Sequence, residues 1–236
     1  MKKRICILLI LAMILPLCAC GGKNKAEAAA PAEAPAPTES VTEAPAAAEA
    51  PQQESAALPA GWTPPAAEEG FAVPACGFTY VYPEEYRNAD GIIRMMEQSS
   101  TSDSAALELV YILVPREEHQ AFLDFEKALG DEGLTLPALF QNGYMAFTLF
   151  MVYADRADAA TANLIANDMS TNAASADMIY VGQTKVSDDW YCSVMRLLPM
   201  EKDPDSFRQT MGDAYDEYIA LARDKDLVLS GFTGIQ

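Results

Sequence analysis

The sequence is poor in histidine: among 236 residues it has one, His119. The usual zinc sites need several histidine or cysteine ligands, and serine and cysteine hydrolases need a histidine base. His119 lies beside Glu117 and Glu118 on the expected polar side of a helix, which predicts a solvated surface residue. The chain also lacks a G-x-S-x-G elbow, a P-loop and a G-x-G-x-x-G segment. The sequence therefore predicts no catalytic residues, no metal site and no cofactor, and it favours a protein that is not an enzyme.

Positive charge is scarce as well, since 16 basic residues stand against 34 acidic ones and the formal net charge is −18. Nucleic acids and anionic membrane surfaces would repel such a chain. The acidity favours solubility, although it could also attract cations or a basic partner. Asp203 and Asp205 belong to an acidic cluster, but the D-x-D-x-D-G calcium loop is missing and both fit the start of a helix.

The chain begins with Lys2, Lys3 and Arg4, followed by an apolar run over residues 5–17. This order is typical of a secretory signal. As a helix the run would reach only about 20 Å, less than the roughly 30 Å hydrocarbon core, which argues against a permanent membrane helix.

The segment Leu17-Cys18-Ala19-Cys20 then resembles the lipobox of bacterial lipoproteins. This resemblance implies a signal peptide over 1–19, removed before Cys20, and acyl chains such as palmitate attached through Cys20. Cys18 follows a bulky leucine and fits poorly. The protein is expected at the extracytoplasmic face of a bacterial cell membrane, held there by lipid. An ordinary signal peptide is the alternative.

Large apolar side chains are almost missing from residues 23–65, which consist mainly of Ala, Pro and Glu. Such a segment cannot offset the entropy of ordering, and its regular prolines prevent a long helix. Residues 20–65 are therefore predicted to form the lipidated cysteine and a disordered linker. Residues 66–236 have the length and apolar content of one globular domain.

The domain has strand-like patterns separated by three helical ones. A continuous apolar pattern over 143–153 predicts a central strand covered by helices on at least one side. Two hairpins are expected, one joined through residues 98–104 and one through 187–189. The predicted strands are residues 77–82, 91–97, 105–114, 143–153, 178–186 and 190–198, with 227–232 as a short terminal strand.

Helices are predicted over 116–129, over 156–169 and from Pro204 onward. Asp203 is the expected N-cap of the last helix. Its apolar stripe has helical spacing and should pack on the sheet: Phe207, Met211, Tyr215, Tyr218 and Ala222. The fold class is α/β or α+β, a mostly antiparallel sheet with about three helices packed on it.

The sequence has five cysteines, of which Cys6 and Cys18 would leave with the signal and Cys20 would carry lipid. Cys76 and Cys192 remain in a compartment where disulfides persist. Three alternatives stay open for them: a structural disulfide, two buried free thiols, or a redox-active pair. Because the chain has no C-x-x-C, a thioredoxin-type site is not expected.

The domain also resembles a region that precedes redoxin domains in surface lipoproteins of anaerobic Gram-positive gut bacteria. The residues that carry this resemblance are 77–83, the segment Trp190-Tyr191-Cys192, residues 215–218 and the LVLSGF tail. The pattern Phe-x-Tyr-x-Tyr-Pro is similar to the opening strand of PsbP/Mog1-like domains, which mostly bind other proteins. Both resemblances imply an accessory or binding role.

Three functional interpretations follow. The first is a membrane-anchored lipoprotein whose domain binds an unknown protein or small ligand, or assists a neighbouring complex, without catalysis. The second is a redox accessory that uses Cys76 and Cys192 with a separate thiol oxidoreductase. The third is a hydrolase that uses two carboxylates, as glycosidases do, although no pair of acids stands out.

Overall fold

The structure is a computed structural model that describes residues 59–130, 133–197 and 202–235. The chain divides into two units, 1–49 and 50–236, and all the described residues belong to the second. Cys20, the predicted signal peptide and most of the predicted linker lie outside the described residues. In the part that the structure does describe, no helix has both the length and the apolar character needed to cross a membrane.

A small antiparallel sheet is built from both ends of the domain. It consists of β1 (Gly70–Val73), β2 (Phe78–Val81) and β8 (Phe232–Gly234), in the order β1-β2-β8. The short 3₁₀ helix Pro74–Cys76 joins β1 to β2 and ends at Gly77, whose φ of 67° is readily adopted by glycine. The predicted strand over 77–82 is therefore confirmed, and β1 is an addition to the prediction.

A larger antiparallel sheet has five strands in the order β3-β4-β5-β7-β6. Its centre is β5 (Met145–Arg156), which confirms the central strand expected there. The hairpins of β3 with β4 and of β6 with β7 are also as predicted. The other strands are β3 (Ile92–Ser100), β4 (Ser104–Leu113), β6 (Met178–Lys185) and β7 (Trp190–Leu197). The domain thus belongs to the α+β class, with two sheets where one was expected.

The described residues form seven α-helices rather than the three expected, because several are too short to show helical periodicity. The longer ones are α2 (His119–Leu129), α4 (Ala159–Asn172) and α6 (Ala214–Arg223). The shorter ones are α1 (Glu84–Arg87), α3 (Leu136–Gln141), α5 (Pro204–Met211) and α7 (Lys225–Ser230).

The predicted C-terminal helix is interrupted. Asp203 is its N-cap, as expected, and its carboxylate accepts a hydrogen bond from the Ser206 N–H at 3.2 Å. Gly212, at a φ of 60°, ends α5, and α6 starts two residues later. The predicted apolar stripe nevertheless faces the main core on both helices.

The terminal strand expected over 227–232 is wrong for most of its length, since residues 225–230 form α7. The Asp224 carboxylate caps this helix by accepting from the Leu227 N–H at 3.0 Å. The strand begins only at Phe232. Gly231 lets the backbone before this strand pass close to Tyr80, because a β-carbon there would lie 2.6 Å from the Tyr80 ring.

The larger sheet carries apolar packing on both faces. The inner face, toward the smaller sheet and α5–α7, contributes Leu107, Leu109, Val152 and Val194 to the main core. The outer face packs against α2 and α3 through a second cluster: Ile92, Met96, Val110, Ile112, Val114, Phe122 and Leu139. Alternate residues of β3 and β4 point to opposite faces, as the pleat requires.

Candidate functional site

A groove lies where the smaller sheet meets α2 and the edge strand β3. It consists of a cavity of about 550 Å³ and a smaller one of about 140 Å³, which share Glu68, Tyr82, Arg94 and Leu123 in their walls. Because they share these residues, the two cavities are adjacent.

The inner wall of the groove contains a buried ion pair. Arg94 Nε donates to Glu126 Oε1 at 2.8 Å and Arg94 Nη2 donates to Glu126 Oε2 at 2.9 Å. A third donor, Nη1, is 3.0 Å from the Ile93 carbonyl oxygen. Such a two-point contact fixes both side chains, and it offsets the cost of removing two charges from water. The pair therefore sets where α2 lies on β3.

Two aromatic rings complete the surroundings of Arg94. Its guanidinium carbon is 6.0 Å from the ring centroid of Tyr82 and 6.0 Å from that of Phe122. The Tyr82 hydroxyl accepts a hydrogen bond from the Met95 N–H at 2.7 Å, and burial raises the pKa of Tyr82 to about 12. Tyr82 thus connects the end of the smaller sheet to β3 at the floor of the groove.

His119 lies at the narrow end of the groove and is half-buried rather than solvated as predicted. Its Nε2 is 3.0 Å from the Asp90 carbonyl oxygen and 3.2 Å from the Val114 carbonyl oxygen. Since both partners are acceptors, Nε2 carries the proton and donates. His119 therefore joins the start of α2 to the turn before β3, a structural role that its neighbours in sequence do not reveal.

Apart from the ion pair, the walls of the groove are mainly apolar, and charged side chains lie at its rim. Phe71, Met95 and Leu123 are among its apolar walls, while Asp124 and Lys127 on α2 are exposed at its rim. Glu126 is held by Arg94, which leaves it poorly suited to act as a general acid or base. The described residues also contain no group of three His, Cys, Asp or Glu side chains that could hold a metal ion. The groove thus combines apolar walls, a buried ion pair and a charged rim.

Cys76 and Cys192 lie away from the groove, and both are free and fully buried. Burial, followed by the Glu97 charge, raises the pKa of Cys76 to about 12. Burial, followed by the electrostatic effect of the nearby Cys76, raises the pKa of Cys192 well above its usual value. The structure brings the two residues near each other but suppresses the reactive thiolate. This favours inert structural thiols over a redox pair, and a disulfide between them stays a prediction.

The other acids singled out from the sequence have structural roles. Asp203 caps α5 and Asp205 lies in its first turn, as expected. Two carboxyls that the sequence did not single out, Glu108 and Asp155, have their pKa raised by burial. Glu108 also accepts a hydrogen bond from the Thr148 hydroxyl, which opposes that rise.

Comparison of the chain with protein-family models, with curated proteins and with solved structures gave no significant match. The resemblances to lipoproteins, to regions before redoxin domains and to PsbP/Mog1-like domains therefore stay predictions.

Sequence reasoning missed the ion pair of Arg94 and Glu126, although two signals for it were present. Arg94 interrupts the apolar first half of β3, and Glu126 is four residues after Phe122 on the face of α2 that packs inward. The two are 32 residues apart in sequence. Neither signal indicates which residue forms the ion pair with it, because only the packing of α2 on β3 brings Arg94 and Glu126 together.

Proposed function

We propose that this protein is a lipoprotein anchored through Cys20 at the extracytoplasmic face of a bacterial membrane, and that its domain binds a partner without catalysing a reaction. The lipobox resemblance at 17–20 supports the anchor, and the Ala/Pro/Glu-rich segment supports a spacer between lipid and domain. The domain would then work at a distance from the bilayer.

The single observation that supports a binding role is the groove beside α2. It combines a volume of about 550 Å³ with apolar walls and a charged rim, and a buried ion pair holds its inner wall rigid. Rigid apolar pockets with few polar groups are the usual form of a ligand site. The bound group would be an apolar side chain or a small apolar ligand, with basic groups near Glu68 and Asp124.

Site-specific photocrosslinking in the native host tests this proposal. A photoreactive residue at Gln120, on the rim, is compared with one at Asn163 on the exposed side of α4. We expect a discrete adduct from position 120 that disappears when Leu123→Glu puts a charge on the groove floor. Identical adducts from both positions, or adducts that are indifferent to Leu123→Glu, would contradict the proposal.

The two alternatives have their own measurements. A redox accessory predicts that Cys76 and Cys192 react with a thiol reagent in the folded protein and that the number of free thiols changes with oxidant. A carboxylate hydrolase predicts turnover of a glycan or ester by the purified protein. Either result would replace the binding proposal, whereas unreactive thiols and no turnover support it.

A further inference from the structure

A line of methionines crosses the outer face of the larger sheet. Directly opposite neighbours in four adjacent strands are Met96 of β3, Glu108 of β4, Met151 of β5 and Met195 of β7. Residues that face each other across strands have Cβ atoms about 5 Å apart and point to the same side. The register therefore places one carboxylate between two thioethers, with a third thioether beyond.

Glu108 is an unexpected residue in this line. It is 7% exposed and accepts a hydrogen bond from Thr148, but no ion pair joins it among the described residues. A buried carboxylate flanked by thioethers gains no hydrogen bond from them, because a thioether sulfur is only a weak acceptor. A site built purely for apolar packing would have an aliphatic residue here. A cation held between Glu108 and its neighbours would neutralise the charge.

Access to the line is possible at its middle. Met96 and Met195 are buried, whereas Met151 is half-buried, as is Thr148 on the same strand. On the other side of Met195, Tyr180 of β6 is half-buried too. Met151 is therefore partly exposed to solvent, and the register places Glu108 on one side of it and Met195 on the other.

The chemistry of these donors selects the ion. Thioethers are soft ligands that favour Cu(I) and its analogue Ag(I), whereas Ca²⁺ and Mg²⁺ require oxygen donors. We propose that Glu108, Met151 and Met195 form a binding site for a soft monovalent cation, Cu(I) or Ag(I). One carboxylate and one cation give a neutral site, which suits its partly buried position.

Ag(I) is the probe, because it binds like Cu(I) without changing oxidation state. The full-length protein, labelled with ¹³C at its methionine methyl groups, is titrated with Ag(I) and followed by NMR. We expect the Met151 and Met195 signals to move together at one equivalent. Met145, exposed at the start of the same strand, should not move.

Affinity of variants gives the second readout. Met151→Leu and Met195→Leu conserve volume and should fold normally, and each should weaken Ag(I) binding by about tenfold or more. Met145→Leu is the matched control and should leave the affinity unchanged. Thermal unfolding without Ag(I) verifies that each variant is folded.

Because Ag(I) also binds thiols, a variant of the full-length protein is included in which alanine replaces all five cysteines: Cys6, Cys18, Cys20, Cys76 and Cys192. Binding that survives this change and is lost with Met151→Leu supports the site. Binding that follows the cysteines, binding that is indifferent to Met151→Leu and Met195→Leu, or no binding at all would overturn it.

Discussion

The two faces of the larger sheet differ in what they bury. The inner face is apolar at Leu107, Leu109, Val152 and Val194, and it packs on the smaller sheet and the C-terminal helices. The outer face buries Arg94, Glu108 and Ser193 among apolar residues. The inner face also buries Arg196, two residues after Val194 on the same side of β7, but more of the buried polar side chains of this sheet lie on the outer face, where each needs a partner of its own. The difference indicates that the inner face serves mainly stability, while the outer face carries the features that suggest binding.

The largest effect is expected on the inner face. Phe150 is fully buried in the main core, so Phe150→Ala should lower the free energy of unfolding by about 4 kcal/mol. Urea denaturation measures the loss, and Met145→Ala, at an exposed position of the same strand, is the control. A loss below about 1 kcal/mol, which is typical of surface changes, would contradict the claim that the inner face serves mainly stability.

On the outer face the ion pair should show strong coupling. Glu126→Leu leaves Arg94 buried without its partner, and we expect a loss of about 3 kcal/mol. The double change Arg94→Met/Glu126→Leu should recover most of this, since no charge is then left unpaired. A double-mutant cycle measured by chemical denaturation tests the coupling. Purely additive losses would show that the pair does not act as a unit.

A smaller effect is expected at Asp224, the N-cap of α7. Asp224→Ala removes the acceptor for the Leu227 N–H, which should cost about 1 kcal/mol. Amide hydrogen exchange should then increase over α7, while the strands of the larger sheet stay protected. Asp226→Ala, two residues later in the first turn of α7 and not the cap, is the control.

The smallest effect concerns the pH dependence of Glu108. Burial raises the pKa of Glu108 in the folded protein, so the folded state holds its proton to higher pH than the unfolded state does. The contribution of Glu108 to the free energy of unfolding therefore falls as the pH rises from the pKa of Glu108 in the unfolded state through its pKa in the folded state. Glu108→Gln should flatten this fall and make the protein slightly more stable at neutral pH. A pH series of thermal unfolding that is unchanged by Glu108→Gln would contradict this assignment.

Much of the larger sheet was accessible from pattern alone. Long apolar runs with polar turns identified β5 and both hairpins, because alternation and turn residues are local signals. Short elements were not predicted from the sequence, such as β1 and α1, which have four residues each. At that length a segment has too few residues to show a period.

The groove was not predicted from the sequence for a different reason. Its walls come from residues far apart in sequence, such as Phe71, Arg94 and Leu123, none of which forms a motif with its neighbours. Sequence reasoning identified Cys76 and Cys192 as a candidate cysteine pair. The structure places them near each other in a buried position. Their burial could not be read from the sequence, since it depends on how the smaller sheet packs on β7.

The sequence by itself determined a mixed fold of helices and mostly antiparallel strands, the two hairpins, the cap at Asp203 and the scarcity of groups for common catalysis. These follow from local periodicity, capping chemistry and composition. Tertiary structure alone decided that the strands form two sheets, that Arg94 meets Glu126, and that Met151 and Met195 line up beside Glu108. Strand order and helix packing are set by the simultaneous burial of many distant side chains, and that requirement is not encoded in any one segment.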